Sequence, residues 1–302
     1  MNHLDDRSVS VRPGDGPMDL DAVREVSRAV SEAHMFIYLA PESAEEAAGL
    51  GVAERGTAYL AFRSAAMGAV PWRVALAAFY NFSPRAARAM ADVWDVAPPD
   101  RWQAARFLAA GRAMRRVGVR LTDDQLAEAR WLLDSVVAGA DYAGKVLAAA
   151  NASVGLPPDP LVALWQQITV AREWRGDAHL VVLADNRLGP CDCLVLHTAT
   201  GRLPRALVQA TRQWSDEEWT GATARLVARG WLDSDAVITD AGSAARERIE
   251  RETDEHCAAL WAPIGDAGAH RLASLIAPIT DAFTAAGTFR AVRSAQPSGD
   301  PA

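Results

Sequence analysis

The densest group of ionisable side chains in the sequence lies between residues 172 and 179. Here Arg175, Asp177 and His179 alternate with small residues, between two apolar stretches of helical spacing. The carboxylate of Asp177 can fix the tautomer of an imidazole or hold Arg175 in a bidentate ion pair, and an imidazole can donate, accept or bind a metal. The group therefore predicts a ligand site. A simple Arg175–Asp177 pair that ties a helix start to its neighbour is the alternative interpretation.

Two further polar and aromatic groups lie nearer the N-terminus. One contains His34 and Tyr38, with Arg63 on a later helix, and the other contains Tyr80 and Asn81 at the end of a helix. A single histidine in an apolar helix, like an aromatic cluster, is more often part of a core than of a ligand site, so packing is again the alternative. If one pocket collects these groups, its candidate ligand-binding residues are His34, Tyr38, Arg63, Tyr80, Asn81, Arg175, Asp177 and His179.

Three histidines could bind a metal if the fold brought them together. His34, His179 and His197 would suit zinc or iron, because three protein ligands and one open position are typical of catalytic metal sites. Their spacing matches no local metal motif, and the three cysteines have no metal-type spacing either. The glycine-rich phosphate loops and the Gly-x-Ser-x-Gly nucleophile motif are absent from the sequence. The cofactor is therefore unknown, with a divalent metal as one option.

The composition is that of a globular protein with an acidic balance. Half of the 302 residues are hydrophobic, and the formal net charge is -7. No apolar run approaches the roughly 20 residues needed to cross a bilayer, and the polar N-terminus is unlike a signal peptide. We therefore expect a cytoplasmic protein with no membrane partner. Because proteins that grip DNA normally present a surplus of basic residues, the charge disfavours DNA as a partner.

Apolar residues at helical spacing, together with helix-capping and helix-stopping residues, occur through almost the whole chain. This pattern predicts a mainly α fold. A first amphipathic helix is predicted from Asp19 to Phe36, and capping boxes begin further helices at Ser43 and Thr122. Helix-stopping residues near Gly189 predict a domain boundary. The predicted organisation is a disordered N-terminus (1–18), an all-helical ligand-pocket domain (19–188), a winged-helix domain with C-terminal helices (189–290) and a disordered tail (291–302).

The segment after residue 200 has the pattern of a winged helix-turn-helix. Ser215 opens a capping box for a helix that should end at Gly230, where a left-handed glycine cap is typical. Residues 231–232 and 237–239 predict two short strands of a small β wing. A long helix is expected from Asp240 to about Trp261.

The charges of this module weaken its case as a DNA reader. Residues 189–262 contain eight arginines and twelve acidic residues. The first turn of a recognition helix meets the base edges, and here it holds three acidic residues, Asp216, Glu217 and Glu218. The module is therefore either a weak or partner-assisted DNA reader or a scaffold used for packing and dimerisation. The candidate DNA-binding residues are Arg205, Arg212, Arg225 and Arg229.

The chain resembles an actinobacterial helix-turn-helix family that is distantly similar to MarR-type regulators. The resemblance covers most of the chain and rests on residues 34–42, 79–82, 149–152, 172–179, 214–219 and 229–232. Its most specific pieces are Arg-Gly-Asp-x-His and Trp-Ser-Asp-Glu-Glu-Trp. The resemblance implies an all-helical N-terminal region joined to a winged helix, and by fold analogy a homodimer, but it supplies no activity.

Two hypotheses of function follow. In the first, the N-terminal domain binds a small molecule and the winged helix passes that state to DNA, as in a ligand-responsive transcriptional regulator. In the second, the protein is an enzyme of secondary metabolism with a site built from His34, Arg175, Asp177 and His179, and the winged helix is only a scaffold. A basic stripe between Arg101 and Arg120 is interpreted as a solvated helix face, with a surface for nucleic acid or an acidic partner as the alternative.

Overall fold

The computed structural model describes residues 17–201 and 203–289, and this part of the chain is mainly α-helical, as predicted. The α-helices in it are α1 Leu20–Met35, α2 Pro41–Gly49, α3 Arg55–Ser64, α4 Trp72–Phe79, α5 Pro84–Arg88, α6 Val93–Val96, α7 Pro99–Val117, α8 Asp123–Val137, α9 Val146–Ala152, α10 Pro160–Asp185, α11 Asp192–Thr198, α12 Arg205–Arg212, α13 Asp216–Ala228, α14 Asp240–Trp261 and α15 Gly265–Ala285. The predicted tails, 1–18 and 291–302, lie outside the described residues except for positions 17 and 18.

Capping side chains begin several of these helices where the sequence predicts them. Asp19 accepts from a backbone amide at the start of α1, and Thr122 and Ser215 form complete capping boxes at α8 and α13. The box predicted at Ser43 is wrong. The helix α2 already begins at Pro41, whose fixed φ suits a first helical position, and the Ser43 hydroxyl donates to the Ile37 carbonyl at 2.5 Å.

The long helix α10 lies at the centre of the fold. Buried residues of α1, α7, α8, α10 and α15 form one core, called the first core here, with Trp165 and Phe36 among its fully buried side chains. The helix passes without a break through Gly176, so the two apolar stretches on either side of residues 172–179 belong to one helix. Buried neighbours on both sides of the helix stabilise it there, and they outweigh the cost of about 1 kcal/mol for a helical glycine.

Two smaller cores flank the first. The second core joins α3, α4, α5 and α7 through aromatic residues such as Phe62, Phe79 and Trp102. The third core joins α11, α12 and α13 with the end of α10 and the first half of α14. The last turns of α14 and the whole of α15 pack in the first core instead. The C-terminal helices thus bind the helices before residue 188, while the division into domains stays a prediction.

The loop between α13 and α14, residues 231–239, forms one antiparallel bridge between Leu232 and Ile238 in place of the predicted strands of the wing. The Thr239 amide donates to the Trp231 carbonyl at 3.1 Å and closes the loop. Thr239 also caps α14, and the Asp233 side chain accepts from the Asp235 and Val237 amides, so these groups are used in a turn and a cap and the pairing is limited to this one bridge.

None of the described helices is long and apolar enough to span a membrane.

Candidate functional site

A cluster of arginine side chains lies where the first and second cores meet. It consists of Arg63 on α3, Arg106 on α7, Arg172 on α10 and Arg212 at the end of α12, and is called the arginine cluster below. Arg106 is 1% exposed and Arg63 is 9% exposed. Because burying a guanidinium removes its hydration, each of these side chains needs partners inside the protein.

Glu173 is the carboxylate in contact with the cluster. Its Oε2 atom accepts from Arg63 at 2.8 Å and lies 2.7 Å from a guanidinium nitrogen of Arg172. Burial acts to raise the pKa of Glu173, but the two arginines outweigh it and hold the pKa well below its ordinary value. Glu173 therefore stays ionised and neutralises one of its two arginine partners.

Arg106 has neutral partners. Its two terminal nitrogens lie 3.2 Å from Nε2 of His34 and 3.4 Å from Oδ1 of Asn151, and its guanidinium carbon lies 5.0 Å from the Trp165 ring centroid. Among the described residues no carboxylate forms an ion pair with it. Burial lowers the pKa of Arg106 from its ordinary value, as expected for a cation without a counter-charge.

His34 is held in its neutral form by the same surroundings. Burial and the charges of Arg172 and Arg106 lower its pKa well below the ordinary value. Since a guanidinium N–H of Arg106 can only donate, Nε2 of His34 accepts and the ring proton is assigned to Nδ1. Nδ1 has no hydrogen-bond partner within the described parts of the chain, so His34 offers a buried donor.

Aromatic rings surround the arginine cluster. The guanidinium carbons of Arg63 and Arg212 lie 5.7 Å and 5.8 Å from the centroid of the Tyr59 ring, and Tyr38 packs against Tyr59 at 4.8 Å between centroids. Burial acts to raise the pKa of Tyr59, yet the nearby arginines lower it below its ordinary value. The region therefore has a strongly positive potential.

A cavity of about 70 Å³ reaches this region from the side of α2 and α3. Tyr38, Tyr59, Phe62 and Arg106 are among its lining residues, and the segments around Ala40 and Arg55 form its other walls. The Tyr38 hydroxyl is buried and has no hydrogen-bond partner in the described structure. The cavity thus joins a cation, an unpaired hydroxyl and aromatic walls.

Three of the predicted ligand-binding residues, His34, Tyr38 and Arg63, lie in or beside the arginine cluster. Tyr80 and Asn81 lie elsewhere, at the contact between the N-terminal helices and the helix-turn-helix helices. The Tyr80 hydroxyl donates to the Leu188 carbonyl, and the Asn81 carbonyl accepts from Nε1 of Trp214 at 3.0 Å.

Arg175, Asp177 and His179 do not form one site. Arg175 donates to Asp254 on α14 at 2.6 Å, and His179 lies 2.9 Å from the Thr253 hydroxyl on the same helix. Asp177, two residues from each of them, points to the other side of α10 and accepts from the Ala148 amide at the start of α9. The alternative interpretation, a simple Arg175–Asp177 pair, is wrong as well, because residues two apart on a helix face different ways.

The three histidines of the metal hypothesis do not converge. His34 lies beside Arg106, His179 beside Thr253 and His197 beside Arg246. The described residues contain no group of three or more histidine, cysteine or acidic side chains suited to a metal ion. The geometry therefore gives no support to a metal site at these positions.

The four candidate DNA-binding arginines are engaged within the chain. Arg205 pairs with Asp216 at 3.0 Å, and Arg225 pairs with Asp192 at 2.6 Å. Arg229 donates to backbone carbonyls at the end of α10 and packs on a tryptophan ring. Arg212 packs on the Phe82 ring at 4.3 Å, within the arginine cluster.

Sequence reasoning missed Arg106, Arg172, Glu173 and Tyr59 as members of the site. Arg106 was included in the basic stripe interpreted as a solvated face, and this interpretation is wrong for it. A signal was present in the sequence, because residues 102, 109, 110 and 113 are buried apolar positions at helical spacing from Arg106. The positions of Glu173 and Tyr59 depend on contacts between distant segments, which no local pattern shows.

Asp177 predicts a pH-dependent stability. Burial, with the nearby Glu173 charge, raises its pKa to about 6 from 3.8, although the Ala148 amide acts to lower it. The neutral form is thus favoured in the folded state, and the stability this contributes is present below about pH 4 and is lost as pH rises towards 6. We expect Asp177→Asn to gain about 1–3 kcal/mol relative to the natural protein between pH 4 and pH 7. Urea unfolding at both pH values measures this difference, and a difference that is the same at both would contradict the prediction.

The described chain is thus a helical protein that carries a helix-turn-helix unit, α12 and α13, against a buried polar cluster. A family model described as a helix-turn-helix family matches residues 23–290, which is most of the chain, and the protein belongs to this family. No curated protein and no solved structure matches the chain.

Proposed function

We propose that this protein is a ligand-responsive transcriptional regulator of the MarR-like kind. Its N-terminal helices bind a small molecule, and the helix-turn-helix unit carries that state to DNA in the cytoplasm. Membership of a helix-turn-helix family supports the DNA half of the proposal. The ligand half rests on the cavity beside Tyr38 and Arg106, which lies in the N-terminal helices.

The observation that carries the proposal is the position of Arg212. This residue ends α12, the first helix of the helix-turn-helix pair, yet its guanidinium lies over Phe82 and near Tyr59 of the N-terminal helices. Its backbone carbonyl accepts from the Ser83 amide at 3.0 Å. A ligand that rearranges the arginine cluster would therefore act directly on the helix that positions the recognition helix α13.

The exposed surface of α13 limits the DNA affinity to be expected from this conformation. Its solvent-facing residues include Asp216, Glu217, Thr220 and Ala224, two of which repel phosphate. Binding would also require Arg205 and Arg225 to leave their carboxylate partners. We therefore expect weak DNA binding by the ligand-free protein and stronger binding when the acidic first turn is neutralised.

A charge change in α13 tests the DNA half of the proposal. The double variant Asp216→Asn with Glu217→Gln removes two repulsive charges and releases Arg205, so DNA affinity at low salt should rise about fivefold or more. Fluorescence anisotropy with duplexes from the protein's own upstream region measures the affinity.

The matched control for this change is Asp123→Asn with Asp124→Asn, which alters the net charge equally in the first turn of α8. It should leave DNA affinity unchanged. If neither the natural protein nor the α13 variant binds any duplex at low salt, the DNA half of the proposal is rejected. An equal gain in both variants would point to net charge alone and would also count against a specific role of α13.

The structure bears in different ways on the predicted homodimer and on the alternative enzyme hypothesis. Dimerisation stays a prediction. The long helix α14 is a candidate interface because of its length alone, and it packs one side against α1 and α10 through residues such as Thr253. No observation favours the enzyme, because Arg175 and His179 face α14 whereas Asp177 faces α9 and His34 faces α7.

A further inference from the structure

We infer that the ligand of the N-terminal helices is a small oxyanion, a molecule with a carboxylate or phosphate group, bound by Arg106 beside Tyr38 in the cavity that both residues line. This inference rests on the proposed function, since it names the class of small molecule that such a regulator would bind. Three kinds of observation support it: the balance of buried charge, the unpaired donors and the dimensions of the cavity.

The buried charges leave a cationic surplus. Four guanidinium groups form the arginine cluster, and Glu173 is the carboxylate that contacts it. Asp177 stands one helical turn further along α10 and accepts from the amide at the start of α9. Arg106 is the clearest case, because it is 1% exposed and its hydrogen-bond partners are an imidazole and an amide. A buried cation of this kind is stable when an anion pairs with it.

The unpaired polar groups near Arg106 are mostly donors. The Nδ1 atom of His34, the Tyr38 hydroxyl and Nε of Arg63 are buried without a hydrogen-bond partner in the described regions. Each can donate to an oxygen, and Nε of Arg63 cannot accept at all. Hydrogen bonds from such groups to an ionised oxygen are stronger than those to a neutral one. Of these groups the Tyr38 hydroxyl lines the cavity together with Arg106, so an oxyanion there meets a cation and an unpaired donor, which a cationic ligand would not suit.

The cavity restricts the size of the oxyanion. Its volume is about 70 Å³, whereas pockets for drug-sized ligands enclose about 300–1,000 Å³. Tyr38, Tyr59 and Phe62 supply flat aromatic walls, and Arg106 lies among them. These dimensions suit a molecule of a few heavy atoms with one anionic end, and they exclude a nucleotide or a polymer.

Calorimetric titration of the full chain tests the inference with sodium acetate, benzoate and phosphate, each compared with sodium chloride at equal ionic strength. We expect at least one of the three to bind with a Kd below about 1 mM and to raise the Tm, with chloride giving neither effect. The three probes also separate a carboxylate from a phosphate ligand. If none of the three binds more tightly than chloride, the inference is overturned.

Variants connect the binding to the site. Arg106→Gln should weaken binding roughly tenfold or more, because a charged partner is lost. The control Arg112→Gln, on the same helix but half-exposed and paired with Glu45 and Glu46, should bind like the natural protein. If R106Q does not fold, the same titration is made with Tyr38→Phe, which keeps the aromatic ring and removes one hydrogen-bond donor. This variant should also bind the oxyanion more weakly than the natural protein. Unchanged affinity in the folded variant would overturn the inference.

The two proposals fail in different ways. An oxyanion that binds at Arg106 but leaves DNA binding unaffected would support the ligand class and contradict the regulator. DNA binding by the natural protein without any oxyanion binding would contradict the ligand class alone.

Discussion

Replacing Glu173 by glutamine is expected to lower the free energy of unfolding by about 3 kcal/mol, because it leaves the buried Arg63 and the partly buried Arg172 without a counter-charge. One carboxylate oxygen serves both arginines, at 2.8 Å and 2.7 Å, and the Glu173 side chain is 2% exposed. Urea unfolding followed by tryptophan fluorescence measures the loss. Ten tryptophans in the sequence, among them the fully buried Trp165, supply the signal.

The control for this prediction is Glu45→Gln, which removes a carboxylate from a solvent-exposed pair with Arg112. Exposed pairs contribute less than about 1 kcal/mol, so E45Q should be nearly neutral. A loss for E173Q no larger than that for E45Q would mean that the charges of the arginine cluster are compensated in another way. The oxyanion proposal adds a second expectation. A bound oxyanion should stabilise E173Q more than the natural protein, since the variant has one more uncompensated cation.

Local signals in the sequence predicted helix starts well when a side chain near the start provided them. Thr122 and Ser215 cap their helices as expected, and Asp19 caps the helix predicted to begin there, because each needs only backbone amides two or three residues away. The signal at Ser43 failed because a proline two residues earlier already begins the helix. A glycine is a common signal for the end of a helix, but α10 continues through Gly176 because residues on both sides of it are buried.

The site could be predicted only in part because it depends on long-range pairs. His34, Tyr38 and Arg63 were recognised by residue type, but the partner of Arg63 is 110 positions away in the sequence. Arg212 was assigned to DNA by its place in the helix-turn-helix, whereas its guanidinium lies over Phe82. Residue type and spacing indicate which side chains could bind a ligand or react. The packing of helices that are distant in the sequence determines which of these side chains come together in one site.

The helix-turn-helix unit is attached to the N-terminal helices by polar contacts as well as by its core. Arg85 donates to the Gln213 carbonyl at 2.9 Å and also pairs with Glu218, and Nε1 of Trp214 donates to the Asn81 carbonyl. These contacts hold the turn between α12 and α13 against the end of α4 and the start of α5. Arg212, which ends α12 next to this turn, also contacts the Phe82 and Tyr59 rings, so the turn and the arginine cluster share one residue.

Replacing Gly242 by alanine is expected to destabilise the protein by about 3 kcal/mol or more through overpacking against backbone. Gly242 lies in the first turn of α14, and a Cβ atom there would meet the Trp231 carbonyl oxygen at 2.1 Å. That oxygen already accepts from the Thr239 amide, which closes the loop of residues 231–239. The first turn of α14 and this loop would have to separate. Urea unfolding measures the loss, and hydrogen exchange at the Thr239 amide should become faster.

The matched control is Gly221→Ala in α13, where a Cβ atom meets the end of the flexible Arg225 side chain at 3.5 Å. Alanine is the better helix former by about 0.5–1 kcal/mol, so G221A should be neutral or slightly stabilising. Because Trp231 and Leu232 pack in the third core and Arg106 does not, G242A should lose DNA binding before oxyanion binding. If G242A is as stable as the natural protein, the loop of residues 231–239 does not pack against the first turn of α14. Its position beside α13 would then not depend on that contact.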